Sequence, residues 1–183
     1  MNTKFPQITT TIFAEMSQLA AEYEAINLAQ GFPNFAPDPK LLQCLQESLS
    51  APVHQYALMP GNLKLRTEIA QLIKKTENID ISPQENILIT AGATEGIFCT
   101  IQALVSKGDE VLIPSPYWVS YPEIVKLSDA TPVFIETNSE NNFKVTGEML
   151  RNNITNETRM LLLNSPSNPS GFIYNENDLK DII

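Results

Sequence analysis

Asn164-Ser165-Pro166-Ser167-Asn168-Pro169-Ser170-Gly171 puts two asparagines and two prolines into eight residues, directly after the apolar run 161–163. Proline fixes its own φ and restricts the residue before it, so such a loop has a set shape. At the C-terminal end of a strand it can hold a side-chain amide against a ligand, although the same residues also serve a plain turn. Thr90-Ala91-Gly92-Ala93-Thr94-Glu95-Gly96 offers a second chemistry. Small residues at a strand-to-helix turn let backbone N–H groups approach an anion, and the helix start adds positive potential. Tight helix–strand packing would select the same residues. Ser115-Pro116-Tyr117-Trp118-Val119-Ser120-Tyr121-Pro122 brings three aromatics, including the single tryptophan, to the exit of another strand. There they can stack on a flat ligand or fill core.

Taken together, the three stretches describe one ligand: a phosphate at 92–94, a ring against an aromatic at 117–121, and a polar ring edge met by an asparagine at 164–168. A flat heteroaromatic phosphate answers these demands, and pyridoxal phosphate is the obvious candidate. Other chemistries fit poorly. His54 is the only histidine and has no carboxylate or serine motif around it, which argues against serine and cysteine hydrolases. Cys44 and Cys99 lie at unrelated spacings in helical stretches, matching no zinc set or disulfide framework; buried thiols are expected. A net charge of −9, with only Arg66, Arg151 and Arg159 as arginines, argues against nucleic acid and anionic membrane as partners. No apolar run approaches the roughly 20 residues that span a bilayer, and MNTKFPQITTT lacks a signal peptide's apolar segment. A cytoplasmic protein is expected.

The elements that must carry these loops can be read from periodicity. Residues 9–23 place Ile12, Phe13, Met16, Leu19, Ala20 and Tyr23 at helical spacing. Asp38-Pro39 reads as an N-cap followed by proline in the first turn, opening a helix with Leu41, Leu42, Leu45 and Leu49 on one face. Leu65, Ile69, Leu72 and Ile73 predict a third helix. From residue 86 strands alternate with helices: ENILIT, then a helix with Ile97, Phe98, Ile101, Leu104 and Val105 inward, then DEVLIP, YPEIVKLS, TPVFIET, TGEMLRNNI and TRMLLLN. That alternation predicts α/β architecture with a parallel sheet.

The stretches INLAQGFPNF, QYALMPGNLKLR, ITAGATEGI, SPYWVSYPE and NSPSNPSG resemble successive motifs of the class I/II, fold-type-I aminotransferases, which depend on pyridoxal 5′-phosphate. QGFPNF with HQYA and AGATEGIF is most similar to the methionine- and kynurenine-type enzymes; SPYWVSYPE is similar to the bacterial aspartate branch. The resemblance implies a fold-type-I large domain, incomplete here, with residues 1–44 as an N-terminal arm or part of the small domain and 45–183 as the start of the large domain. It implies that Gly31 offers its backbone near the substrate carboxylate. Tyr56 would reach the cofactor phosphate of the neighbouring subunit of a homodimer. Ala93 and Thr94 would bind phosphate, Trp118 would stack on the pyridine ring, and Asn168 would hydrogen-bond the ring's phenolic oxygen. Ser170 stands where the family usually has threonine. Amino-acid and 2-oxo-acid substrates follow from the same likeness.

The family's anchoring lysine lies further along than Ile183, and none of the nine lysines here sits in a matching motif. The expectation is therefore an N-terminal portion, with no catalytic residue assigned within it; the alternative is a non-catalytic remnant or binding module. Fold-type-I order also implies three strands between 86–90 and 159–164, a separation of roughly 19 Å at the usual strand spacing.

Overall fold

The computed structural model describes residues 10–31, 33–52 and 55–183, so His54 lies outside the described residues. The chain divides into two compact units, one ending at Tyr56 and the other comprising Ala57–Ile183.

The first unit holds α1 (Ile12–Glu22) and α2 (Pro39–Leu49). Thr11 caps α1 by accepting the Ala14 N–H, and Asp38 caps α2 by accepting the Lys40 N–H, with proline in the first turn as the sequence predicts. Neither helix buries a residue. Cys44 on α2 and Cys99 in the second unit are both exposed, so the expectation of buried thiols is corrected at both positions. Helical periodicity says which residues share a face, not whether anything covers it.

The second unit opens with α3 (Leu63–Glu77) and α4 (Ala93–Leu104), followed by β1 (Glu110–Pro114), α5 (Tyr121–Leu127), β2 (Thr131–Ile135), α6 (Gly147–Asn153), β3 (Thr158–Leu161) and α7 (Glu176–Ile182). The sheet is parallel, in the order β2-β1-β3. Its central strand explains its own composition. Val111 and Ile113 face one side, where Ile101 of α4, Val105 at its C-cap, and Ile124 and Val125 of α5 cover them. Leu112 faces the other, against Ile135, Val145, Leu150 of α6 and Tyr174. A strand buried on both faces must be apolar at every position, which is why EVLIP shows no polar alternation. On α4, only Ile101 is fully buried and Ile97 half-buried, with Val105 following at the helix end; Phe98 and Leu104 are exposed rather than inward, because α4 meets the sheet along one narrow stripe.

Residues 86–90 form no strand among the described residues. They run alongside the loop before α3, where Ile89 N–H donates to the Pro60 carbonyl at 3.1 Å. The apolar alternation was legible, but a strand exists only by pairing, and neither β1, β2 nor β3 pairs with this segment. The approach is close: a Cβ on Gly61, whose φ is +95°, would lie 2.5 Å from Ile89 Cγ1. Glycine is required there by both conformation and space.

Candidate functional site

Strand order fixes where a site can form. From β1 the chain crosses to β2 on one side, then returns past β1 to β3 on the other. The crossovers lie on opposite faces, and the connections leaving β1 and β3 diverge at their C-terminal ends. Open α/β sheets bind ligands at this switch point.

A cleft of about 330 Å³ lies there, lined by Ala93, Thr94, Ile97, Trp118, Tyr121, Asn164, Pro166 and Asn168. Three separate stretches of sequence supply it: the start of α4, the segment after β1, and the loop after β3. Gly92, with φ +89°, sits at the N-cap of α4, and no side chain caps the helix's first N–H groups. A helix start without a capping oxygen leaves donors available to an anion. None of the lining residues is lysine or arginine, so phosphate recognition here would rest on backbone N–H groups and the Thr94 hydroxyl.

The aromatic wall is Trp118 with Tyr121, ring centroids 5.5 Å apart and planes at 75°. An edge-to-face contact of this kind holds the indole while leaving a face open. Burial pushes the Tyr121 phenol above its ordinary range, so it stays protonated. Tyr117 turns elsewhere and stacks on Phe134 at 5.1 Å. Of the three aromatics read from the sequence, two therefore line the cleft and one serves packing.

The loop after β3 holds its shape through its own polar groups. Asn168 N–H donates to Asn164 Oδ1 at 2.7 Å, Gly171 N–H to the Ser167 carbonyl at 2.7 Å, and Ser167 N–H to the Phe172 carbonyl at 2.9 Å. The Ser165–Pro166 and Asn168–Pro169 bonds are cis, as is Ser115–Pro116. Two asparagines thus divide the work: Asn164 closes the loop, and Asn168 is presented by it.

Of the residues singled out from the sequence, Ala93, Thr94, Trp118 and Asn168 come together in this cleft. Gly31 and Tyr56 belong to the first unit; Tyr56 is fully exposed, and nothing lies within 4 Å of a Cβ placed on Gly31. Tyr121, Asn164 and Pro166 line the cleft without having been assigned roles. Their membership in the same two loops was the available signal. An uncapped helix end, an aromatic ring and an amide in one cavity match the phosphate, the ring face and a polar ring edge of pyridoxal phosphate, while the lining offers no amine for its aldehyde and no carboxylate for its ring nitrogen.

Comparison with known proteins agrees with this geometry. The chain is 36% identical over 183 residues to an aspartate aminotransferase of Bacillus sp. (strain YM-2), covering 100% of this chain and 46% of that protein. It is 38% identical over 174 residues to a probable N-succinyldiaminopimelate aminotransferase DapC of Mycobacterium tuberculosis, covering 94% of this chain and 44% of that one. Among solved structures it is similar to YbdL from Escherichia coli, described with a methionine aminotransferase function. That match has a TM-score of 0.94 at 35% identity and covers 100% of this chain and 47% of the other. The chain spans about half the length of the curated relatives it matches. The profile of the aminotransferase class I and II family matches residues 23–183. With the parallel sheet, the loop order and this match agreeing along most of its length, the chain belongs to the class I and II aminotransferases.

Proposed function

We propose that this chain forms the N-terminal, cofactor-holding part of a pyridoxal-phosphate-dependent aminotransferase that moves an amino group from an amino acid to a 2-oxo acid. Its family depends on that cofactor. The observation that carries the reading is the single cleft in which the start of α4, the Trp118 indole and the Asn168 amide meet. Ala93 and Thr94 hold the phosphate through backbone N–H and hydroxyl, Trp118 lies against the ring, and Asn168 donates its side-chain amide to the phenolic oxygen. Gly31 presents its backbone to the substrate carboxylate, and Tyr56 reaches the phosphate of the other subunit in a homodimer. Bound there, the cofactor supplies an electron sink for the substrate's α-carbon. The protein's part is to orient the ring and keep its face accessible. The relatives are named for aspartate, N-succinyldiaminopimelate and methionine chemistry, so the donor is proposed here only as an amino acid. A cytoplasmic location goes with this reading; among the described residues no helix is long and apolar enough to cross a membrane.

A second reading, a module that binds the cofactor without turning it over, is favoured for these 183 residues by one observation. The cleft lining contains no lysine. Trp118 is the only tryptophan, so quenching of its fluorescence reports ring binding directly. Saturable quenching by pyridoxal 5′-phosphate is expected, with much weaker quenching by pyridoxal. Asn168→Ala should weaken binding by about five- to tenfold, the worth of one hydrogen bond. Equal quenching by pyridoxal and its phosphate, or none by either, would remove the cleft from consideration. Borohydride reduction followed by peptide mapping then separates the two readings. No unique lysine adduct is expected; a stoichiometric adduct at one lysine would place catalysis within this chain.

A further inference from the structure

Glu95 is an odd residue to find one position past Thr94, because a carboxylate beside a phosphate site repels the ligand. Its position explains it. The Glu95 Oε2 accepts the Ala91 N–H, reaching back across the turn that leads into α4. On the opposite side of that turn, Thr90 Oγ1 donates to the Gly92 carbonyl at 3.0 Å, and Gly92 N–H donates to the Thr90 carbonyl at 2.8 Å. Gly96 keeps room for the threonine: a Cβ there would stand 3.3 Å from Thr90 Oγ1. The turn is thus tied by side chains from both ends. This matters because 86–90 pairs with no strand among the described residues, so no sheet hydrogen bond fixes the turn from behind.

We propose that Glu95 is a positioning residue of the anion cradle: its carboxylate holds the Ala91 N–H and thereby aims the N–H groups of Ala93 and Thr94 into the cleft. The inference rests on the cofactor reading above. It assigns Glu95 a geometric task that its charge opposes, and this makes it separable from an electrostatic one. Glutamine keeps an acceptor oxygen at the same reach and removes the charge; alanine removes both.

The test uses the full chain with pyridoxal 5′-phosphate as probe, read by Trp118 quenching, together with hydrogen exchange at the Ala91 amide. Glu95→Gln is expected to bind as tightly as the unaltered chain or more so, and to keep Ala91 protected. Glu95→Ala is expected to lose about tenfold in affinity, one hydrogen bond's worth, and to exchange Ala91 faster by a similar factor. If both variants change affinity alike, the role is charge and the proposal falls. If Glu95→Ala lowers thermal stability while leaving affinity and Ala91 exchange intact, the residue serves only α4, and the proposal falls again. If the unaltered chain shows no quenching, the cofactor reading fails. The proposal then fails with it, even where the exchange data confirm the Ala91 tie.

Discussion

Replacing Arg66 with methionine is expected to lower the unfolding free energy by about 3 kcal/mol, read from the urea midpoint at unchanged slope. Arg66 sits on α3 and is only 4% exposed, the one buried charged residue among the described residues. Among the described residues no carboxylate pairs with it. Instead its guanidinium donates to three carbonyls: Nε to Gly61 at 3.2 Å, and Nη1 to Pro83 at 2.7 Å and to Gln84 at 3.4 Å. A guanidinium spreads its charge over a planar fork, which lets one side chain bind two backbone segments at once. Methionine fills similar space but leaves those carbonyls without this donor; an acceptor kept from water costs about 1–3 kcal/mol, discounted here because the three contacts are only part-buried and the Gln84 one is long. Lysine keeps the charge and loses the fork, so Arg66→Lys should fall between the two. A change below about 0.5 kcal/mol for methionine, the range of ordinary surface substitutions, would show that the three contacts carry no load. The consequence reaches the cleft. Gly61 abuts Ile89, and residues 83–84 lead directly into the segment ending at the Thr90–Thr94 turn. Loss of Arg66 should therefore also weaken the phosphate binding proposed for the cleft without touching any residue that lines it.

Arg66 also marks the limit of what the sequence discloses. Its partners are backbone carbonyls up to 18 positions away, and carbonyls have no residue identity to read. Local signals were legible where the physics is local. Asp38-Pro39 starts α2 through a cap and a fixed φ, both within three residues. The segments at 110–114, 131–135 and 158–161 became strands because they pair with one another and crossing helices cover both faces of the middle one. The three loops of the cleft were legible because turn chemistry and resemblance pointed to the same residues. Residues 86–90 carried an equally strong β pattern, yet form no strand here, since pairing is a property of two segments and not of one. Cys44, Cys99, Phe98 and Leu104 failed for the matching reason: burial depends on a neighbour that periodicity does not name.

Gly147→Ala is expected to cost about 3 kcal/mol and to detach α7, because the added methyl has nowhere to go. A Cβ at Gly147 would lie 2.1 Å from the Asp181 carbonyl oxygen, and backbone cannot swing aside as a side chain can. Three bonds hold this contact: Gly147 N–H to Asp181 Oδ2 at 2.7 Å, Val145 N–H to the Tyr174 phenol at 2.8 Å, and Lys144 Nζ to Asp178 Oδ2 at 2.6 Å. Tyr174 N–H also donates to Ser165 Oγ at 3.1 Å, so the same residues brace the loop that presents Asn168. Detachment should accordingly raise the exchange rates of the Val145 and Tyr174 amides together and loosen the cofactor binding proposed for Asn168. Acid should do the same by another route. The hydrogen bond from Lys144, with help from the Asn175 N–H, holds the Asp178 carboxyl below its ordinary range. A lowered folded-state value means that the contribution is complete above the unfolded carboxyl's pKa and is lost as pH falls through the folded one. Burial pushes the Tyr174 phenol up, so it stays neutral throughout that window and adds no titration of its own. Protection factors of the Val145 and Tyr174 amides, exchange corrected for the intrinsic pH dependence, should therefore fall only on the acid side of the usual carboxylate range, and Lys144→Met should move the onset to higher pH. In Gly147→Ala those protection factors should already be low at neutral pH and nearly indifferent to further acid. If that variant instead kept a wild-type acid profile, α7 would be held by contacts other than these, and the brace on the Asn168 loop would have to be sought elsewhere.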